Sequence, residues 1–107
     1  MLYVMHNSDI FYWMIISFRD NRTARFARGE FVKEFSGFAR QAEVRLDRMD
    51  AATSLDDLLA FRGNRLEALK GDRLGWYSIR INDQWRICFM WRRGAEGPED
   101  VEFLDYH

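Results

Sequence analysis

Between Glu67 and Ile87 the chain puts charge where strands normally keep neutral residues. Glu67, Lys70, Arg73, Arg80 and Arg86 interrupt the alternating runs Trp76-Tyr77-Ser78-Ile79-Arg80-Ile81 and Trp85-Arg86-Ile87. A small sheet that gives one face to Arg and Lys is suited to a polyanion, because these cations match phosphate oxygens in charge and geometry. The chain then runs to Asp105-Tyr106-His107, a carboxylate, a phenol and an imidazole in succession. An imidazole exchanges protons near neutrality, its ordinary pKa being about 6.5. By position alone, a terminal histidine reads as a frayed residue with no role.

Net charge is −1, which taken alone argues against nucleic acid. Its distribution argues the other way. Arg62 to Arg93 contains eight basic residues against three acids, whereas the last fourteen residues hold five acids and no Lys or Arg. The averaged charge therefore hides a basic stripe. Solvated strand edges also carry charge, so that plainer reading stays open.

The elements that must position these groups follow from periodicity. Met14–Phe18 reads as a short buried strand, and Asp20-Asn21-Arg22-Thr23 as a turn from which Asn21 or Thr23 caps a helix to about Gly29. Phe35, Phe38, Ala42, Leu46 and Met49 fall on one stripe of a second helix of about 15 residues. Ser54 caps a brief turn over Leu55–Leu59. From Asn64 the period becomes two. Strands are expected at Leu66–Leu69, Trp76–Ile81, Trp85–Trp91 and Val101–Tyr106, with turns at Gly71, Gly75 and Gly94-Ala95-Glu96-Gly97-Pro98. Helices followed by strands give an α+β fold, two to three N-terminal helices on one face of a small curved, mostly antiparallel sheet.

Hairpin register sharpens this. A two-residue loop at Asn82-Asp83 would mix apolar and charged groups on both faces. A three-residue loop, Asn82-Asp83-Gln84, pairs Ile81 with Trp85, Ile79 with Ile87 and Tyr77 with Phe89, giving one continuous apolar face. Arg80 then lies across from Arg86. Like charges so opposed cost stability unless an anion sits between them, or unless each finds a carboxylate such as Glu67, Glu102 or Asp105.

At 107 residues, 48% apolar and 16% aromatic, the chain is long enough for one domain with one modest core. Cys88 is the single cysteine, which excludes an internal disulfide and a thiolate metal cage. With only His6 and His107 beside it, no metal and no cofactor are expected, and Cys88 reads as a small buried hydrophobe in a reducing cytoplasm. Residues 1–13 are expected to be an appendage and 14–107 the domain. Ile10–Ile16 has no Lys or Arg before it and is too short for a membrane span, so neither a signal peptide nor a membrane partner is expected.

Ser17-Phe18-Arg19-Asp20, Leu69-Lys70-Gly71-Asp72-Arg73, Ser78-Ile79-Arg80-Ile81, Trp85-Arg86-Ile87 with Phe89, and Asp105-Tyr106-His107 occur in an order and spacing that resembles the HigB branch of the RelE-type toxins. The resemblance covers nearly all of 14–107. It implies a RelE-like fold and a ribosome-dependent, metal-independent endoribonuclease that cuts mRNA in the A site. It further implies a helix-turn-helix antitoxin of the HigA type, and operator DNA contacted only through the toxin–antitoxin complex.

RNA cleavage by its own 2′-OH needs that oxygen deprotonated, the phosphorane charge stabilised and the leaving 5′-oxygen protonated. Arg86 suits the phosphorane charge, and Lys70, just before a glycine turn, suits the same phosphate. Carried over from the resemblance, Asp105, Tyr106 and His107 form the acid/base and stacking end, with Tyr106 against a base. Arg73 and Arg80 are expected to bind phosphate, and Arg22, Arg25, Arg28 and Lys33 either to grip ribosomal RNA backbone or to form a solvated helix face. Some relatives of this branch have histidine where this chain has Glu67. Glu67 is therefore either the general base or an ion-pair partner of Arg80 or Arg86. Two other readings stand beside the toxin: a catalytically weak member acting through its antitoxin and operon, and a ribosome-independent RNA-binding module.

Overall fold

The computed structural model describes residues 14–106 and the backbone of Tyr3–Val4. His107 and the rest of the expected appendage lie outside the described residues. Strands β1 (Tyr3–Val4), β2 (Ser17–Phe18), β3 (Glu67–Ala68), β4 (Trp76–Arg80), β5 (Trp85–Met90) and β6 (Glu99–Asp105) form one sheet in the order β1-β2-β6-β5-β4-β3. Only β2 and β6 run parallel; the other neighbours are antiparallel. This is the expected α+β arrangement. No helix of the described residues is long and apolar enough to cross a membrane.

The three-residue turn forms as burial requires. Tyr77 pairs with Phe89, Ile79 with Ile87 and Arg80 with Arg86. Asn82 closes the turn, its side-chain oxygen accepting from the backbone N–H groups of Gln84 and Trp85, each at 2.8 Å. Ile79, Ile87, Phe89, Val101 and Phe103 are fully buried on the face that meets the helices.

Helix α1 (Asn21–Ala27) starts one residue earlier than the sequence suggests. Asp20 is its cap, accepting from Thr23 N–H at 2.7 Å, while Thr23 is buried and its hydroxyl oxygen accepts from Phe103 N–H. The long apolar stripe is divided: a 3-10 turn over Lys33–Phe38 leads into α2 (Ala39–Ala51). Ser36 turns its hydroxyl back onto the Lys33 carbonyl, a local bond that competes with regular helix. Tighter winding still leaves residues three apart on one side, so Phe35 and Phe38 both reach the core. Helix α3 (Leu55–Leu59) is held not by Ser54 but by Asp57, whose carboxylate accepts from the Thr53 N–H and hydroxyl.

Aromatic packing joins the layers. Phe35 lies edge-on to Phe26 and Trp85 and 4.7 Å from the Phe103 ring. At the far end Asp50 of α2 accepts from Met14 N–H at 2.7 Å, and the Gly97 backbone lies so close to the Met14 carbonyl that no Cβ fits. Truncation of the central ring, Phe35→Ala, is expected to cost about 3–5 kcal/mol, read as a lower urea midpoint.

Candidate active site

The face of the sheet turned away from the helices carries the candidate site. Register places Glu67, Ser78, Cys88 and Glu102 in one row across β3, β4, β5 and β6, and Arg80, Arg86 and Leu104 in the next. Successive rows on one face lie about 7 Å apart. Glu67, Arg80, Asn82, Asp83, Arg86 and Tyr106 line an open cleft of about 380 Å³ here.

Arg86 is only 9% exposed, which an arginine tolerates when its donors are satisfied. Its Nε donates to the Ser78 hydroxyl at 2.7 Å, and Nη2 to the Arg65 carbonyl at 2.6 Å. No hydrogen bond among the described residues engages Nη1. The guanidinium is thus fixed along one edge, with one nitrogen left over for a ligand. Glu67 approaches Nη2 at 3.7 Å, a loose ion pair whose carboxylate is 62% exposed. Arg80 pairs with Asp83 across the turn. Each of the opposed arginines therefore has its own carboxylate, and the cost of facing them is reduced before any ligand arrives.

The carbonyl that holds Arg86 depends on an uncommon backbone. Arg65 has φ +46°, the left-handed region that L-residues other than Gly, Asn and Asp avoid. The preceding residue, Asn64, is fully buried, donates to the Leu58 carbonyl at 3.0 Å and accepts from Arg48 of α2 at 3.2 Å. Helix α2 thereby anchors the loop that aims Arg65 at Arg86.

Tyr106 sits at the cleft rim, 39% exposed, and its backbone N–H donates to the Gln84 carbonyl. Its hydroxyl is pushed above the ordinary phenol range by burial and by the neighbouring Cys88. Cys88 is fully buried as expected; burial first, then Glu102, raises its thiol to about 11. Both groups are therefore neutral at pH 7.

Other expected residues lie elsewhere. Lys70 is exposed just before the 3-10 turn Gly71–Arg73 and does not line the cleft. Arg73 turns to Glu102, at 2.7 Å. Asp105 pairs in register with Trp85, so it stands on the helix side of the sheet, where it accepts from the Gln84 side chain at 3.0 Å. Arg22 pairs with Glu34, and Arg25 and Arg28 with Glu30, in and just after α1, and none of them lines the cleft. His107 lies outside the described residues. Ser78, Asn82 and Asp83 join the site without having been singled out. Ser78 was readable, since the three-residue turn puts it on the Arg80 and Arg86 face; the Arg65 carbonyl was not.

Two outcomes follow. Arg65→Gly relieves the left-handed strain while Arg65→Val adds a β-branched clash, so the valine variant should be less stable than the glycine one by about 1–2 kcal/mol in urea unfolding. The Cys88 thiol, held protonated, should resist alkylation at pH 8 in the native protein and react on denaturation. Because its folded value of about 11 exceeds the ordinary 9.0, its contribution to stability is complete below pH 9 and is lost as pH rises towards 11.

The family described as RelE-like toxin of type II toxin-antitoxin system HigB matches residues 16–107. Toxin HigB-1 of Vibrio cholerae serotype O1 is 46% identical over 63 residues, 59% of this chain and 63% of the relative. Endoribonuclease HigB of Proteus vulgaris is 36% identical over 63 residues, 59% of this chain and 65% of the relative. The matched portion spans a little under two thirds of the length of either relative. With the family matching from β2 to the end of the chain, across every strand that builds the cleft, this chain belongs to the HigB-type RelE-like toxins of type II toxin–antitoxin systems.

Proposed function

We propose that the chain is the toxin of such a pair and an endoribonuclease that cuts mRNA in the ribosomal A site by attack of the RNA's own 2′-OH. The observation that carries this reading is Arg86: a nearly buried guanidinium that lines an open cleft, fixed by Ser78 and Arg65, with no hydrogen bond among the described residues to its Nη1. A preorganised cation in a partly dehydrated site stabilises charge that develops on a phosphorane more than the same cation would in water.

In the reaction, Glu67 takes the 2′-OH proton, the 2′-oxygen bonds to phosphorus, and the bond to the 5′-oxygen breaks as that oxygen is protonated. The products are a 2′,3′-cyclic phosphate and a 5′-hydroxyl. Glu67 suits the base because its carboxylate is open to solvent and only loosely tied to Arg86. His107 supplies the leaving-group proton; Asp105, on the helix side of β6, takes no direct part in the cleft. Tyr106 supplies a stacking surface at the rim, and Arg80 a second positive charge across from Arg86. No metal and no cofactor enters this scheme. Lys70 and Arg73 extend the phosphate-binding face, and Arg22 and Arg25 contact ribosomal RNA by exchanging weak surface carboxylates for phosphates. A helix-turn-helix antitoxin of the HigA type holds the toxin inactive, and the complex meets operator DNA through the antitoxin. The site of action is the cytoplasm.

A second reading, a catalytically weak toxin acting through antitoxin and operon, is favoured by one observation: both cleft arginines already have carboxylate partners. Mapping mRNA 5′ ends after brief induction separates the two. New ends within codons of translated messages support the nuclease, and their absence despite folded protein supports the weak member. Arg86→Lys keeps a charge but loses the bond from Nε to Ser78, and is expected to lower cleavage by about 10²-fold or more. Glu67→Gln should cost about 10²-fold if Glu67 is the base, whereas a change of only a few-fold would leave it as an ion-pair partner.

A further inference from the structure

Beside the cleft, on the same sheet face, two arginines share one buried carboxylate. Glu102 of β6 has a side chain only 8% exposed; Arg73 Nη1 lies 2.7 Å from its Oε1, and Arg19 Nε lies 3.7 Å from its Oε2. The same two guanidiniums stand over the Trp76 ring, at 4.4 Å for Arg73 and 5.1 Å for Arg19. One negative charge thus serves two positive ones, and the guanidiniums stay partly open, with side-chain exposures of 32% for Arg73 and 47% for Arg19.

This cluster is continuous with the cleft. Cys88 is paired with both Ser78 and Glu102, and its thiol feels Glu102, Arg73, Tyr106 and Arg86 together. The cleft arginines each have a separate carboxylate, whereas Arg19 and Arg73 share one, which leaves positive charge in excess beside the cleft. A need only to tie β2 to β6 would be met by one arginine on Glu102. Two, each also held against an indole, form an oriented pair suited to an oxyanion.

We infer that Arg19 and Arg73, held by Glu102 and Trp76, form a second phosphate subsite that takes a phosphodiester of the bound RNA strand next to the one at Arg86. The inference rests on the nuclease reading and gives it a direction: the strand crosses the sheet from the Arg80–Arg86 row towards β2. A single nucleotide occupies the cleft alone; a longer strand engages both subsites.

The test uses the full chain, with ¹⁵N-detected arginine Nε and Trp76 indole signals followed during titration. The probes are a short 2′-O-methyl oligoribonucleotide, which cannot react, and a 2′-O-methyl mononucleotide. The oligonucleotide should shift Arg86, Arg19, Arg73 and Trp76 together, and the mononucleotide Arg86 without Arg19. Arg19→Gln leaves the closer Arg73–Glu102 pair in place. It should weaken the oligonucleotide several-fold and reduce the slope of log affinity against log salt by about 0.7, with mononucleotide binding unchanged. Oligonucleotide shifts confined to Arg86, or an Arg19→Gln variant with unaltered affinity and slope, would overturn the subsite alone. No shift at Arg86 with either probe would overturn the subsite together with the reading it rests on.

Discussion

The register of the β4–β5 hairpin is the constraint on which the rest depends. Because side chains alternate with period two, a one-residue slip would exchange the two faces of a strand. Burial of Ile79, Ile87 and Phe89 against the Phe35 and Phe103 cluster makes that slip costly. The same energetics that hold the core therefore hold Ser78, Arg80, Arg86 and Cys88 on the opposite face. The Arg80 and Arg86 row is the outer surface of the core hairpin, and its placement follows from the burial of the inner one.

On that face, electrostatics are arranged by partial pairing. Arg86 is buried because a hydroxyl and a carbonyl satisfy its Nε and Nη2, with only a distant carboxylate near it. A close bidentate carboxylate would neutralise it and occupy the space a phosphate needs. One row away, at Arg73 and Glu102, the pairing is close, and there two arginines share a single acid. On a chain with net charge −1, the positive character of this face thus comes from where the acids stand, not from their number.

The left-handed Arg65 shows how distant parts of the chain bear on this surface. Its carbonyl meets Arg86 in that conformation, next to buried Asn64, which is tied to Leu58 and Arg48. Backbone strain of this kind persists where the surroundings hold it, and here three hydrogen bonds flank the strained residue.

By itself the sequence determined the α+β order, the three-residue turn and the facing of Arg80 by Arg86, because each follows from period-two burial within a short stretch of chain. The motifs also carried the family resemblance, later matched over residues 16–107. Tertiary structure decided what local pattern does not encode. Asp20 rather than Asn21 or Thr23 caps α1, because Thr23 is drawn inward to Phe103. Tyr106 meets the cleft while Asp105, one residue earlier, stands on the other side of β6, because alternation separates neighbours. Above all, the groups that hold Arg86 and Arg73 come from Arg65, Ser78 and Glu102, well separated along the chain. Such partners are set by how strands and loops meet in space, and no spacing within one segment specifies them.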